Sequence, residues 1–335
     1  MYKFAQMTNE DRDFVFNKTA IEKGITKEIV EKDFWVCLML DFLFTKSKFK
    51  EYLTFKGGTS LSKGFNIINR FSEDIDLILD WTVLGVGPTE PLEERSNTKQ
   101  DNYNRLLNNK AAEFIKNKLL TDIKENLSKL LNKQLDIEID ENDPQVINFY
   151  YPRVYESQNE YIKQFVRLEI GPLAARTPSS NVPIVSYACE TMSDAFEQKN
   201  TLVLTVNPER TFWEKVTILH REANRPQDKQ MPQRYARHYY DLYKLSNTEY
   251  FTFAMKNREL LEKVVKFKTK FYRDNWAKYD ECLNNNIKLI PPDFRIKELE
   301  KDYTQMKEMF YGDVPTFTEI LERLKLIDTS INNRE

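Results

Sequence analysis

Histidine and cysteine are scarce in this chain, two and three residues among 335, and that scarcity narrows the chemistry. His220 and His238 leave a Ser-His or Cys-His hydrolase few choices, and neither stands beside a nucleophile motif. Cys37, Cys189 and Cys282 lie far apart, without the close spacing of a metal knuckle or a redox pair, and read as buried thiols of a reducing cytosol. Net charge is nearly absent as well. The 50 Lys and Arg against 52 Asp and Glu leave −2, so there is no bulk attraction to nucleic acid and any such contact needs a local patch. No apolar stretch reaches the about 18 residues of a membrane span, and no apolar core of signal length follows the start Met1-Tyr2-Lys3-Phe4-Ala5-Gln6. These absences predict a cytoplasmic protein with no membrane partner. Internal repeats and low-complexity tracts are missing too, apart from the polar tail Asp328 to Glu335.

What is present is the composition of a folded protein, with 41% apolar and 30% charged residues, 22 Phe and 17 Tyr. The length allows two domains. Residues 9 to 46 keep Ile29, Val30, Phe34, Cys37, Leu38 and Leu40 to Leu43 on one broad apolar face, which predicts a leading helical layer. Glu51-Tyr52-Leu53-Thr54-Phe55, two glycines, then Leu61 and Phe65 predict strand, glycine turn and helix. From Asp74 to Asp80, Asp74, Asp76, Ile78 and Asp80 share one strand face while Ile75, Leu77 and Leu79 share the other. Residues 85 to 102 read as an exposed loop and 103 to 132 as helix. Strands at 134 to 140, 145 to 151 and 163 to 170 extend the sheet, and another follows at 201 to 206. Helices are expected at 208 to 223, 233 to 246, 257 to 275 and 296 to 309. The composition change near 200 divides the chain into an α/β domain with a mixed sheet, 1–200, and a helical C-terminal lobe, 201–335.

Two carboxylates two apart on a strand, Asp74 and Asp76, project from one face and suit a hard divalent cation. On a neighbouring strand Glu169, sharing its face with Arg167, is the candidate third metal ligand. Taken alone, an acid-apolar-acid triplet fits a solvent-facing strand edge better than a metal site. The preceding Lys56-Gly57-Gly58-Thr59-Ser60 weighs against that, since glycines allow close backbone approach and Thr59 and Ser60 offer donors to a triphosphate where a helix begins. Lys215 stands at the edge of an apolar stripe of Phe212, Val216, Leu219 and Ala223, as a phosphate contact or as a snorkelling surface lysine. Arg234, His238 and Asp241 fall on one face of the predicted 233–246 helix, as part of a site or as a structural ion-pair network. Lys56, Lys63, Arg70, Arg221, Arg225 and Arg237 surround these positions in sequence. Phe149, Tyr150, Tyr151 and Tyr155 suit core, rim or base stacking.

The run Phe55-Lys56-Gly57-Gly58-Thr59-Ser60-Leu61-Ser62-Lys63, followed by Arg70-Phe71-Ser72-Glu73-Asp74-Ile75-Asp76-Leu77, resembles the signature of the AbiEii/AbiGii toxin family, polymerase-beta-like nucleotidyltransferases that include the MenT toxins. Phe212-Trp213-Glu214-Lys215 through Leu219-His220-Arg221, and Arg234 through His238-Tyr239-Tyr240-Asp241-Leu242-Tyr243, agree with it. So does Glu31-Lys32-Asp33-Phe34-Trp35-Val36, which is similar to the helix before the family's first strand. The resemblance implies a polymerase-beta-like lobe with a helical lobe supplying Lys215 and Asp241 across a cleft. It also implies a toxin neutralised by a cognate antitoxin, transferring nucleotides from a nucleoside triphosphate to the 3′ end of tRNA. By position it makes Asp74 and Asp76 the ligands of two Mg2+ or Mn2+ ions and Lys215 and Asp241 catalytic. Gly58 and Ser60 match the triphosphate-binding turn, and Gly57, Thr59, Lys63 and Arg234 are expected to join them in binding the nucleotide, with Glu169 the less regular third carboxylate. The same residues are compatible with a protein or small-molecule acceptor, and with a non-catalytic regulator that binds nucleotide or antitoxin.

Overall fold

The computed structural model describes residues 1–156 and 163–333. Two compact units emerge, one of Met1–Gly64 with Phe71–Val206, the other of Phe65–Arg70 with the chain from Asn207 onward.

The first unit is built on a seven-stranded mixed sheet: β1 Leu53–Lys56, β2 Asp74–Leu79, β3 Asp136–Ile139, β4 Val146–Tyr150, β5 Val166–Gly171, β6 Ser179–Ile184 and β7 Thr201–Val206. Their order is β3-β4-β5-β2-β1-β7-β6. β2 therefore lies in the middle, antiparallel to β1 and parallel to β5. Its inner face, Ile75, Leu77 and Leu79, is fully buried with Leu168 and Ile170 of β5 and Phe34, Trp35 and Leu38 of the Lys27–Asp41 helix. Burying each such aliphatic side chain contributes about 1.5–3 kcal/mol, and this is what holds the outer face in register. That helix starts at the Thr26 cap and is almost wholly buried, including the charged run Glu31, Lys32 and Asp33. Phe149, Tyr151 and Tyr155 also join the core, with Tyr151 stacked on Trp35 at 5.7 Å, while Tyr150 stays at the rim.

In the sheet and its glycine turn, two features depart from the expected elements. β6 lies outside the expected strands, with Pro178 just before it and Pro183 inside it. It is an edge strand, where the missing N–H of Pro183 is tolerated. The segment after β1 is not an ordinary helix: one turn, Gly57–Thr59, widens at once into a π-helical turn, Ser60–Gly64.

The second unit is helical: Pro208–Ala223, Ala236–Leu245, Glu249–Lys256, Arg258–Phe271, Asp293–Gln305 and Phe317–Asn332. Pro208 occupies the first turn, where an N–H has no partner to lose. Thr316 and Glu319 form a reciprocal capping box at the last helix, whose Phe317, Ile320, Leu324, Ile327 and Ile331 are buried. Residues 65–70 are fastened here by Tyr311 N–H donating to the Asn69 carbonyl at 3.1 Å and by a bridge between Arg70 and Phe310. Among the described residues, no helix is long and apolar enough to cross a membrane.

Candidate active site

In the first unit the glycine turn and the acid pair are joined directly. Lys56 pairs with Asp76 across β1 and β2, so the chain turns immediately beside that carboxylate. Gly57 makes the turn with φ +85°, and a Cβ built on it would stand 1.9 Å from Asp76 Oδ2. Only glycine satisfies both the dihedral and the contact. Thr59 ties the turn to the other acid: its hydroxyl donates to the Asp74 carbonyl at 2.5 Å and lies 3.0 Å from Ser72 Oγ. Ser60 is buried, and its hydroxyl donates to the Gly57 carbonyl at 2.8 Å, closing the turn on itself.

Replacing Gly57 by alanine is therefore expected to displace the Asp76 carboxylate. The strain should cost about 1–3 kcal/mol of stability. Thermal denaturation beside a transfer assay would show a folded protein with little activity; wild-type activity would contradict the contact's importance.

On the same face, Asp74 pairs with Arg167 and Asp76 with Glu169 across β2 and β5. The acids crowd one another: burial, then the charges of Glu73, Glu169 and Asp76, push the Asp74 carboxyl up to about 6, against the opposing pull of Lys32. Arg167 is shared between Glu169, at 3.0 Å, and Asp140, at 2.8 Å. Glu169 is thus beside Asp76 in the sheet but bonded to Arg167. Among the described residues, no group of three or more His, Cys, Asp or Glu is arranged to hold a metal ion. Asp74 and Asp76 remain two neighbouring oxygen-bearing side chains on one face of β2. Lys63, expected at the phosphates, is buried instead: its ammonium is 2.8 Å from Asp33 Oδ1 and 3.6 Å from the centre of the Tyr187 ring.

In the second unit Lys215 and Asp241 meet. Lys215 projects from the Pro208–Ala223 helix to within 2.8 Å of Asp241 Oδ2 on the Ala236–Leu245 helix. Arg70 grips the same carboxylate with two bonds, Nε to Oδ1 at 2.8 Å and Nη2 to Oδ2 at 2.9 Å. Burial by itself would raise the Asp241 carboxyl, but the charges of Arg70 and Lys215, and the bonds they donate, outweigh it and hold the carboxyl well below the usual range. Desolvation lowers the Lys215 ammonium against the pull of Asp241. His238 Nδ1 lies 3.4 Å from Lys215 Nζ, and its imidazole is kept neutral by burial and then by the charges of Lys215 and Arg237.

Arg234 does not share that face. It precedes the helix in a left-handed conformation, φ +58°, with its backbone N–H donating to Asp302 Oδ1 at 2.8 Å. Beside Asp241 stands Arg70, which the sequence placed only among the surrounding basic residues.

His220 serves the scaffold. Its Nδ1 accepts from the Lys288 N–H and its Nε2 lies on the Lys278 carbonyl, both at 3.0 Å. Burial pushes its pKa below 6.5, so the unfolded chain takes up the proton first. Its stabilising contribution is complete above the unfolded value of about 6.5 and is lost as pH falls through that value toward the lower folded one. Urea midpoints at pH 7.5 and 5.5 should show the advantage of wild type over His220→Gln narrowing at the lower pH. A constant advantage would mean that His220 is protonated alike in both states.

A seven-stranded mixed sheet carrying an acid pair beside a glycine turn, and a helical C-terminal unit, make up an α/β fold that is also seen in a nucleotidyltransferase toxin. The nucleotidyltransferase toxin MenT4 of Mycobacterium tuberculosis H37Rv has this fold, with TM-score 0.53 and 15% identity over 97% of this chain and 90% of that one. JHP933 of Helicobacter pylori is a more remote similarity, with TM-score 0.39 and 14% identity over 92% of this chain and 93% of that one. No curated protein sequence matches. Residues 41–323 match the nucleotidyl transferase AbiEii toxin family of type IV toxin–antitoxin systems, and the chain belongs to that family.

Proposed function

We propose that this protein transfers nucleotides from a nucleoside triphosphate to an RNA acceptor, the 3′ end of tRNA, blocking translation until a cognate antitoxin restrains it. The observation that carries the reading is the contact of Gly57 with Asp76. It sets a turn able to cradle phosphates against a carboxylate able to hold a cation. Family membership supports the transfer, the toxin role and the antitoxin. The choice of tRNA rests on the likeness to the MenT toxins.

In this reading the backbone of Gly57, Gly58 and Thr59 approaches the triphosphate, and Ser60 keeps the turn closed. The acceptor hydroxyl gives up its proton to water as its oxygen bonds to the α-phosphorus, the bond from that phosphorus to the oxygen bridging to the β-phosphate breaks, and pyrophosphate leaves with that oxygen. Asp74 and Asp76 would hold Mg2+ or Mn2+, which when bound neutralises charge on the phosphate oxygens. The all-oxygen donor pair and the mutual repulsion of its neighbours suit such an ion. Within the second unit, Lys215 is a candidate phosphate-binding charge held by Asp241, which Arg70 fixes in turn.

The test is incubation of purified protein with each labelled triphosphate and, separately, cellular RNA, protein and small-molecule extracts. Label should enter RNA of tRNA size. Label in the protein or small-molecule fraction would replace the acceptor, and label nowhere would favour a non-catalytic regulator.

A further inference from the structure

The Lys27–Asp41 helix buries three consecutive charged residues, an expensive choice for a core helix. Each reaches a different segment. Glu31 receives the Val154 N–H at 2.6 Å, Asp33 receives the Tyr187 N–H at 2.7 Å and holds Lys63, and Lys32 turns toward β2. The Lys32 ammonium is 2.5 Å from Glu73 Oε2 and donates to the Lys163 carbonyl at 2.6 Å, with its side chain 1% exposed. Glu73 directly precedes Asp74. Lys63, at the far side of the glycine turn, is held by the next residue along the helix. One helix thus fastens both the start of β2 and the end of the turn.

A buried ion pair of this kind is often no more stabilising than an apolar pair of equal volume, so stability does not account for Lys32 and Glu73. We propose that Lys32 is a positioning residue: by clamping Glu73 it fixes where β2 begins, and so fixes the Asp74 carboxylate relative to Asp76 for binding a divalent cation. Its charge also offsets part of the repulsion that Glu73, Glu169 and Asp76 impose on Asp74. The inference rests on the metal reading of Asp74 and Asp76 given above.

The experiment is thermal denaturation of the full chain titrated with MnCl2, comparing wild type with the double variant Lys32→Met/Glu73→Met. Methionine keeps the unbranched shape and removes both charges together, so no charge is left stranded. The expected result is a metal-free midpoint close to wild type and a Mn2+ concentration for half the stabilisation raised by about tenfold or more. Should the double variant not fold, Lys32→Arg carries the test. It keeps the charge but cannot place one nitrogen on both Glu73 and Lys163, and the half-effect concentration should again rise. A wild-type half-effect concentration in the folded variant overturns the positioning role and leaves the metal reading intact. A wild type with no response to Mn2+ overturns the metal reading, and this inference with it.

Discussion

Alanine at Asp74 or at Asp76 should remove nucleotide transfer while leaving the protein folded and no less heat-stable. The two acids sit on the outer face of a strand whose register is fixed by Ile75, Leu77 and Leu79 on the other side, so truncating them removes no core contact. Losing one group that stabilises developing charge costs roughly 10²–10³-fold in rate, and losing a metal ligand should cost at least that. Stability is expected to move the other way for Asp74. Its carboxyl is half-buried and crowded by Glu73, Glu169 and Asp76, so its removal relieves repulsion. Paired measurements of transfer rate and thermal midpoint check this, and a variant retaining wild-type transfer would rule out the acid pair as the catalytic centre.

Asp241→Ala is expected to have the largest effect on stability. The wild-type carboxylate is fully buried and answers two cations, Arg70 through a bidentate grip and Lys215 through a single bond. Deleting it strands both, and breaking a buried pair in this way costs about 3–5 kcal/mol. Arg70→Ala should cost less, since Lys215 still answers Asp241. Urea midpoints for the two variants test the ordering. Equal losses would mean that Arg70 and not Lys215 is the partner that matters.

Legibility in the sequence followed the range of the interactions involved. The alternation around Asp74 and Asp76 is local, and it gave the correct strand and face because a half-buried strand repeats every two residues. The strand Thr201–Val206 is equally local, and the helix Pro208–Ala223 is legible from its 3.6-residue apolar stripe of Phe212, Val216, Leu219 and Ala223. Edge strand Ser179–Ile184 lies outside the expected strands and carries Pro183, which only its place at the end of the sheet excuses. The final helix, Phe317–Asn332, lies outside the expected helices although it carries apolar periodicity at Phe317, Ile320, Leu324, Ile327 and Ile331.

The partners of the charged residues were the least legible part. Arg70 and Asp241 are 171 positions apart, Lys32 and Glu73 41, and no local pattern announces such a pairing. Lys63 looked like a phosphate ligand because it follows a glycine turn, yet its ammonium is committed to Asp33. Arg234 looked like a helix residue facing Asp241 because of its spacing, and a left-handed backbone there places it outside the helix. Spacing locates a charged residue along the chain; burial decides what it is paired with.

The most direct measurement is transfer of radiolabel to purified tRNA from nucleoside triphosphates labelled at the α- or the γ-phosphate, using wild type and Asp76→Ala. Nucleotidyl transfer keeps the α-phosphate and discards the γ-phosphate within pyrophosphate. Wild type should therefore label RNA from the α-labelled triphosphate alone, and Asp76→Ala should label nothing. Label arriving from the γ-phosphate, or equal α-label with Asp76→Ala, would contradict nucleotidyl transfer at this acid pair.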